Sequence, residues 1–337
     1  MKNSPADAAD MTTPLISIVI PTRNRVRLLE RALAAIASQT FRNFEVIVID
    51  DGSDAETRAG YVDLWASLDD RFRLYSAGND SIKGVGPSAT RNLGIFQARG
   101  AIIAFCDDDD FWTAPDHLEA VQTAFATVPA IDMYIANQTG VTAESVRIPD
   151  WMHLLSENLA RRTGMPGVGG IVSIADLCNA GGFAHLNILA VRKTVALKAG
   201  GFWERVGYEE DRDFFWRAVD CSEQIFFNPR IVSQHNIPDA KRVDNQSTQH
   251  SVVERWLLAS LVCQHIASSV SDSSIADLAR RYEGDVLRKL SLHFSDQHQA
   301  ARAVDFGRRA LAARFSIKWA LYLMLIACKA FFAKRDQ

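Results

Sequence analysis

Apolar and polar positions come in blocks along the first half of the chain, and the blocks predict strands and helices in turn. Residues 15–20 and 44–49 are apolar runs of strand length, each followed by polar residues. Between them, apolar side chains recur every three or four positions through residues 25–39, the spacing of a helix with one buried face. A helix over residues 88–99 then leads into an apolar run at 101–106. This order predicts an α/β fold with a mostly parallel sheet flanked by helices.

Polar side chains stand directly after three of the predicted strands. Thr22 and Asn24 follow the first strand, Asp50 and Asp51 end the second, and four consecutive aspartates at 107–110, here called the acidic tetrad, follow the third. Ligands of parallel sheets bind beyond the carboxyl ends of the strands, so we expect these side chains around one crevice. Adjacent carboxylates repel one another, and Mn²⁺ or Mg²⁺ is the simplest compensating partner. The alternatives are a solvated acidic loop, or an N-cap with acidic first-turn residues for the helix near residues 116–125.

The second half of the chain predicts a different organisation. Residues 141–182 contain several glycines and are weakly patterned, which leaves two interpretations open: a mobile loop over a site, or a plain surface insertion. Beyond residue 251 the apolar spacing is helical throughout. We therefore predict an α/β domain over residues 14–245 and an α-helical C-terminal region over residues 251–337.

The C-terminal region ends in an apolar run with basic neighbours. Residues 319–328 carry no charge, but the run is too short for a transmembrane helix, which needs about 20 apolar residues. Residues 251–337 hold 13 Lys and Arg against 8 Asp and Glu. One interpretation is a helix that lies in an anionic membrane surface with its basic side chains toward the headgroups. The other is a buried terminal helix.

Composition narrows the classes of function. The chain has 337 residues and a net charge of -3, which argues against a nucleic-acid-binding protein. Its five cysteines lack metal-binding spacing, which predicts reduced thiols and a cytoplasmic protein. Residues 1–14 lack the basic and apolar segments of a signal peptide. A peripheral position at the inner face of the cell membrane follows if the terminal helix lies in the membrane.

Several motifs of the chain resemble those of family 2 glycosyltransferases, which have the GT-A fold, a Rossmann-like α/β architecture. The motifs stand in the family's order and cover roughly residues 16–235. They are IVIPTRNR at 18–25, VIDDGS at 48–53, ATRNLG at 89–94, DDDDFW at 107–112, GGFWE at 200–204 and EDRDFFWR at 210–217.

The resemblance implies a metal-dependent enzyme that transfers a sugar from a nucleotide diphosphate donor, by default a UDP-sugar, with inversion. The implied acceptor is a hydroxyl of a glycan or lipid-linked molecule in polysaccharide or cell-envelope biosynthesis. Mn²⁺ or Mg²⁺ is implied as cofactor, with Asp107, Asp109 and His235 as metal ligands. The implied general base is Asp211. The residues implied to contact the nucleotide are Pro21, Thr22, Asn24, Asp50, Asp51, Arg91, Asp107 and Asp108. The residues implied to bind the acceptor or to position the reacting groups are Asp110, Trp203 and Glu210.

Residues beside these motifs have less defined roles. Arg242 and Ser247 follow the segment of His235 and could close over the nucleotide. Arg23 and Arg25 are interpreted as surface charges.

Other classes of protein fit this sequence less well. A sugar nucleotidyltransferase would carry a glycine-rich loop after the first strand, and residues 21–24 contain no glycine. A nicotinamide dehydrogenase would carry GxGxxG at that position. A catalytically degenerate binding or scaffold module is a further alternative. Such modules typically lose a metal carboxylate or the base, whereas this chain retains Asp107, Asp109 and Asp211.

Overall fold

The chain folds into two compact units, which are described in turn. The computed structural model describes residues 13–78, 84–128, 130–142, 144–237 and 250–333, with side chains up to residue 327. Arg242 and Ser247 lie outside the described residues. The first unit comprises Met1–Arg205 and Cys221–Asp239, and the second comprises Val206–Asp220 and Ala240–Gln337. Residues 206–220 thus group with the C-terminal helices, whereas the predicted domain boundary between 245 and 251 stays a prediction.

A 10-stranded sheet runs through the first unit. Its strands are β1 (Ile16–Thr22), β2 (Phe44–Asp50), β3 (Phe72–Ser76), β4 (Ile102–Phe105), β5 (Phe111–Trp112), β6 (Ile131–Val141), β7 (Val146–Ile148), β8 (Gly170–Val172), β9 (Leu189–Arg192) and β10 (Gln224–Asn236). Their spatial order is β3-β2-β1-β4-β9-β6-β10-β5, with β7 beside β6 and β8 beside β10. The first four strands in this order are parallel, and β9 is antiparallel to both of its neighbours. The predicted α/β fold is confirmed, with one parallel half and one mixed half.

Helices pack on this sheet and explain its apolar strands. They are α1 (Val26–Ala37), α2 (Ala55–Ala66), α3 (Pro87–Gln97), α4 (His117–Thr127), α5 (His153–Thr163), α6 (Ile174–Cys178) and α7 (Lys193–Lys198). All seven positions of β2 are buried, as expected for a strand that is covered on both faces. The sequence predicts one helical face of Val26, Leu29, Leu33 and Ile36; α1 buries the last three of these and leaves Val26 half-buried. A Cβ atom at Gly94 would stand 2.3 Å from Val19 Cγ1, so this glycine lets α3 approach β1 closely.

Residues 141–182 are more regular than their composition predicted. This segment contains β7, α5, β8 and α6 among its described residues. α5 ends at Gly164, whose φ of 70° lies in the left-handed region that favours glycine. Ser173 and Asp176 form a reciprocal capping box at the start of α6. The glycines therefore lie at the ends of short helices and strands and between them. These elements were not predicted because the apolar pattern of α5 is weak.

The described part of the second unit contains α8 (Glu210–Cys221) up to Asp220 and four further helices. These are α9 (Val252–Ser269), α10 (Ser273–Asp296), α11 (Ala300–Ala313) and α12 (Ile317–Ala333). Leu290, Phe294, Ala303 and Trp319 belong to one apolar core shared by α10, α11 and α12. The helical C-terminal region is therefore confirmed.

The last helix, α12, is apolar on two faces. Its buried face carries Trp319, Leu323 and Ile326, and Trp319 Nε1 donates to the Gly307 carbonyl at 3.1 Å. Leu321 and Leu325 are 58% and 59% exposed on another face. Among the described residues, none of the helices combines the length and the apolar character that crossing a bilayer requires.

Candidate active site

The carboxyl ends of neighbouring strands bring several predicted site residues together. β1 ends at Thr22, and the acidic tetrad follows β4, which pairs with β1. Thr22 Oγ1 donates a hydrogen bond to Asp108 Oδ2 at 2.8 Å. Asp108 and Asp110 are only 4% and 2% exposed. Buried carboxylates are costly unless they are paired, so the partners of the tetrad indicate how this site works.

Arginine side chains compensate the first two carboxylates of the tetrad. Arg91 Nη2 lies 2.6 Å from Asp107 Oδ1, and Arg25 Nη1 donates to Asp108 Oδ1 at 2.9 Å. Burial acts to raise the pKa of Asp107, but Arg91, the largest opposing influence, brings the net pKa below its usual value. For Asp108, burial outweighs Arg25 and Thr22, and the pKa is raised. Arg25 is therefore part of the site, and its interpretation as a surface charge was wrong.

Asp109 is the carboxylate that the protein compensates least. Its described ion pair is a long contact of 3.4 Å from Arg25 Nη1 to Oδ2, and its side chain is 25% exposed. Burial, followed by repulsion from the other three carboxylates of the tetrad, raises the pKa of Asp109 to about 8. A carboxylate in this environment gains stability from a cation that replaces its proton.

Asp110 is held from both sides by polar groups of the chain. Its Oδ1 accepts from the Asn236 backbone N–H at 2.6 Å, and its Oδ2 pairs with His235 Nδ1 at 2.7 Å. Asn187 Nδ2 also donates to Oδ2. The carboxylate is thereby fixed beside the end of β10.

A second histidine, His185, lies beside His235. The two ring centroids are 4.1 Å apart, and His185 Nε2 lies 3.8 Å from Asp107 Oδ2. Burial, aided by the charge of His235, lowers the pKa of His185 to about 4. Burial acts to lower the pKa of His235 as well, but Asp110 outweighs it and the pKa is raised. Asp110, His185 and His235 offer ligand atoms within 4.8 Å of one another, a donor set that suits a divalent metal ion.

The residues predicted to contact the base and ribose organise two turns. Asp50 Oδ1 accepts from the Ser53 N–H at 3.0 Å, and Asn24 accepts from the Asp54 N–H at 2.9 Å. Asp51 accepts from the N–H groups of residues 85 and 86 at 2.6 Å and 3.0 Å. A Cβ atom at Gly84 would stand 2.5 Å from Asp51 Oδ2, so the close approach of this loop requires a glycine. These carboxylates shape the edge of the crevice, and their contacts with a nucleotide stay predictions.

Comparison with known proteins assigns a family to residues 17–181 of the chain. Residues 17–181 match the family described as "Glycosyl transferase family 2". This part of the chain belongs to that family. The family predicted from the sequence motifs is therefore confirmed.

The glycosyltransferase segment has relatives of known name. A protein of Campylobacter jejuni named GalNAc(5)-diNAcBac-PP-undecaprenol beta-1,3-glucosyltransferase is 39% identical over 97 residues, which are 29% of this chain and 30% of that protein. This chain spans less than half of the length of the curated relatives that it matches.

Solved glycosyltransferases have the same fold at low sequence identity. TarS 1-349 of S. aureus in complex with UDP-GlcNAc has a TM-score of 0.65 and 15% identity, covering 96% of this chain and 92% of that chain. The mannosyltransferase PcManGT of Pyrobaculum calidifontis in complex with GDP-Man and Mn²⁺ has a TM-score of 0.55 and 18% identity, covering 98% of this chain and 91% of that chain. The predicted GT-A fold is confirmed by this likeness.

The predicted general base, Asp211, lies in the second unit, in the first turn of α8. Its Oδ1 accepts from the Arg212 N–H at 2.8 Å. Glu209, which has a positive φ of 59°, precedes the helix and accepts from Tyr282 Oη at 2.8 Å. Buried Asp213 pairs with His265 Nδ1 at 2.6 Å. The first turn of α8 is thus anchored to α9 and α10.

The predicted residues therefore fall into two groups. The structure gathers Thr22, Arg91, His235 and the acidic tetrad within the first unit. Asp211 and Glu210 lie in the second unit, whereas partly buried Trp203 belongs to the first. Pro21 lies within β1, immediately before Thr22. The catalytic, nucleotide-binding, metal-binding and acceptor roles assigned to these residues stay predictions.

Sequence reasoning missed His185 and Asn187. Both are buried polar residues within the apolar stretch 184–191. Asn187 accepts from the Asp107 N–H at 2.9 Å and donates to Asp110, so it links both ends of the tetrad. A buried polar residue needs a partner, and polar positions inside an apolar run were the available signal.

Proposed function

We propose that this chain is a glycosyltransferase that transfers a sugar, with inversion, from a UDP-sugar to a hydroxyl of a glycan or lipid-linked acceptor. The observation that carries the proposal is the uneven compensation of the acidic tetrad. Asp107, Asp108 and Asp110 have close polar partners within the protein, whereas the pKa of Asp109 is raised to about 8 and its carboxylate has, among the described residues, a long contact of 3.4 Å with Arg25. A carboxylate of this kind at the edge of a parallel sheet suits a cation that is shared with a diphosphate.

The chemistry of the side chains at the tetrad suits Mn²⁺ or Mg²⁺, and among the described residues the ligand atoms of Asp110, His185 and His235 converge to within 4.8 Å. Asp107 and Asp109 would supply carboxylate oxygens, and His235 would supply a nitrogen. A bound cation would neutralise charge on the departing diphosphate. The complex of PcManGT with Mn²⁺ supports a metal for a glycosyltransferase of this fold.

The other groups of the donor site belong to the chain itself. Arg91 lies against Asp107, where its guanidinium can also pair with diphosphate oxygens. Asp50 and Asp51 would accept hydrogen bonds from the uracil ring or a ribose hydroxyl, with Pro21, Thr22 and Asn24 beside them. The UDP-GlcNAc complex of TarS supports a uridine nucleotide.

Asp211 would act as the general base in the transfer step. As the acceptor oxygen attacks the anomeric carbon, its proton passes to the Asp211 carboxylate. The bond from the anomeric carbon to the diphosphate oxygen breaks, and the electron pair leaves with the diphosphate. A single displacement of this kind inverts the configuration. Asp110, Trp203 and Glu210 would position the sugar or the acceptor.

Calorimetric titration of UDP into the full chain tests the donor site. With Mn²⁺ present we expect binding, and with a chelator we expect binding at least about tenfold weaker, because the cation bridges protein and diphosphate. Asp109→Ala should lose the Mn²⁺ dependence. Asp63→Ala, which removes an exposed carboxylate on α2, is the matched control. UDP binding with an unchanged Mn²⁺ dependence in Asp109→Ala would show that the metal assignment is wrong.

We further propose that α12 attaches the protein to an anionic bilayer. Ile317, Leu321 and Leu325 recur every four positions and are 58–70% exposed, so they form one apolar stripe. Exposed Arg314 and Lys318 lie next to this stripe in the chain. Apolar side chains with cations beside them match a surface of acyl chains and anionic headgroups. The undecaprenol in the name of the Campylobacter jejuni relative supports an acceptor held in such a membrane.

Cosedimentation with vesicles tests this attachment. We expect binding to vesicles rich in phosphatidylserine and weaker binding to phosphatidylcholine vesicles or in high salt. Leu321→Glu combined with Leu325→Glu should abolish binding, whereas Leu197→Glu, an equally exposed apolar site on α7, should not change it. Unchanged sedimentation of the double variant would contradict the attachment.

A further inference from the structure

Glu209, the residue before α8, has a backbone conformation that its neighbours must enforce. Its φ of 59° lies in the left-handed region, which non-glycine residues rarely adopt and which persists only where surrounding contacts hold it. Glu209 stands two positions before Asp211, and its carbonyl oxygen accepts from the Asp213 N–H at 3.2 Å in the first turn of the helix. A change in the conformation of Glu209 would therefore alter the turn that carries Asp211.

Two side chains of the second unit hold the Glu209 carboxylate. Tyr282 Oη, which belongs to α10, donates to Oε1 at 2.8 Å, and Arg212 Nε donates to Oε2 at 3.0 Å. The Arg212 guanidinium also lies over the Tyr282 ring, with Cζ 4.4 Å from the ring centroid. Each of the three side chains thus contacts the other two. A carboxylate that accepts from a guanidinium and a hydroxyl in a partly buried place is strongly oriented.

Asp211 is linked to this cluster through Arg212. Its Oδ1 accepts from the Arg212 backbone N–H at 2.8 Å, which fixes the direction of the carboxylate. Burial acts to lower the pKa of Arg212, but Glu209 above all, with Asp211 contributing, outweighs it and the pKa is raised. The attraction is mutual, so the guanidinium also favours the ionised form of Asp211, which is the form that can accept a proton.

We propose that Tyr282 and Arg212 are positioning residues for the transfer, which act through Glu209 to fix the turn in which Asp211 takes the proton of the acceptor. This inference rests on the proposed function, which gives Asp211 the role of general base. Tyr282 lies 65 residues beyond the last motif that resembles the family, which ends at residue 217. The proposal therefore assigns a part in the reaction to the helical C-terminal region.

The release of UDP from UDP-GlcNAc, UDP-glucose and UDP-galactose, with Mn²⁺ present, tests the proposal in the full chain. Water replaces the acceptor in this assay and also gives up a proton to the base. Tyr282→Phe retains the ring beside Arg212 and removes only the hydroxyl that donates to Glu209. We expect kcat to fall by about tenfold with KM for the donor unchanged, because the base acts in the chemical step and not in donor binding.

Two further measurements separate positioning from a purely structural role. On a Glu209→Ala background, Tyr282→Phe should lower kcat little further, because the hydroxyl acts through Glu209. Amide hydrogen exchange in peptides covering residues 206–220 should be faster in Tyr282→Phe than in the native chain. Ser291→Ala is the matched control, because it removes one buried hydroxyl hydrogen bond on the same helix, to the Ala303 carbonyl at 2.7 Å. It should leave kcat and this exchange unchanged.

The outcomes distinguish this proposal from the proposed function. A kcat of Tyr282→Phe within about twofold of the native value, an equal loss on the native and Glu209→Ala backgrounds, or unchanged exchange in residues 206–220 overturns the positioning role. If Asp211→Asn loses the rate and Tyr282→Phe retains it, the positioning role alone fails. If Asp211→Asn retains the full rate, the base assignment fails. A native chain that releases no UDP from any of the three sugars contradicts the proposed transfer, and the positioning role fails with it.

Discussion

Replacing Asp109 by asparagine should have opposite effects on stability and on metal binding. The substitution retains the shape of the side chain and removes one of four adjacent negative charges. Burial and the other carboxylates raise the pKa of Asp109 from 3.8 to about 8. The folded protein therefore binds a proton that the unfolded chain has released between these two pH values. Its stability should therefore fall as the pH rises from about 4 to about 8 and level off above that, and the asparagine variant should escape this loss.

The magnitude follows from the same pKa. Each tenfold change in an ionisation equilibrium corresponds to about 1.4 kcal/mol, so the upper limit is about 6 kcal/mol. The side chain is 25% exposed, and solvent screens part of the repulsion. We therefore expect Asp109→Asn to be more stable than the native chain by about 2 kcal/mol at about pH 9, and by about 1 kcal/mol at about pH 6, which is midway between the two pKa values. With an unfolding entropy of about 2.1 cal/mol/K per residue over 337 residues, that difference raises Tm by about 3 °C.

Thermal unfolding at these two pH values, with chelator or with Mn²⁺, measures both effects. In chelator the variant should gain Tm as the pH rises, relative to the native chain. With Mn²⁺ at about 100 times its Kd, the native chain should gain about 2.7 kcal/mol and the variant much less. Asp63→Asn should show neither effect. A variant that is less stable than the native chain at the higher pH, or that Mn²⁺ stabilises equally, would refute the reasoning.

Three further substitutions test other parts of the structure. Gly94→Ala should cost about 1–3 kcal/mol in urea unfolding, because its Cβ would collide with Val19; a neutral result would contradict the close helix–strand contact. Arg25→Met should lower the free energy of unfolding in chelator by about 3 kcal/mol, because it removes the cation that pairs with the buried carboxylate of Asp108. Mn²⁺ should restore most of this loss. An unchanged stability in both conditions would contradict the role of Arg25 in the site. Asp116→Asn should cost less than about 1 kcal/mol, because its pair with Arg230 is exposed; a larger loss would contradict this.

The sequence predicted the first half of the fold well because its apolar patterns are long and regular. The strands predicted at 15–20 and 44–49 correspond to Ile16–Thr22 and Phe44–Asp50, and the intervening helix corresponds to Val26–Ala37. The direction of β9 could not be predicted, because an apolar run has the same pattern in a parallel and an antiparallel strand. α5 was missed because its apolar positions are few and its neighbouring glycines resemble a loop.

In the candidate site, too, the features that lie close together in the sequence could be predicted, and the contacts between distant residues could not. The acidic tetrad is visible as four consecutive letters, and the need for a positive partner follows from electrostatics alone. Which of the four carboxylates is compensated least could not be predicted. The compensation depends on Arg25, which lies about 80 residues before the tetrad in the sequence, and on Asn187, which lies about 80 residues after it. The strand order β1-β4-β9 brings both residues to the tetrad. The sequence spacing of these residues carries no signal of the contact.

The most direct test of the proposed transfer is the release of nucleoside diphosphate from a panel of nucleotide sugars in the presence of Mn²⁺. We expect at least one UDP-sugar to be hydrolysed or transferred, and Asp109→Asn and Asp211→Asn each to lower the rate by about 100-fold or more. Asp211→Asn should retain UDP binding, whereas Asp109→Asn should lose its Mn²⁺ dependence. A full rate in either variant, or a native chain that neither binds nor consumes any nucleotide sugar of the panel, would contradict the account.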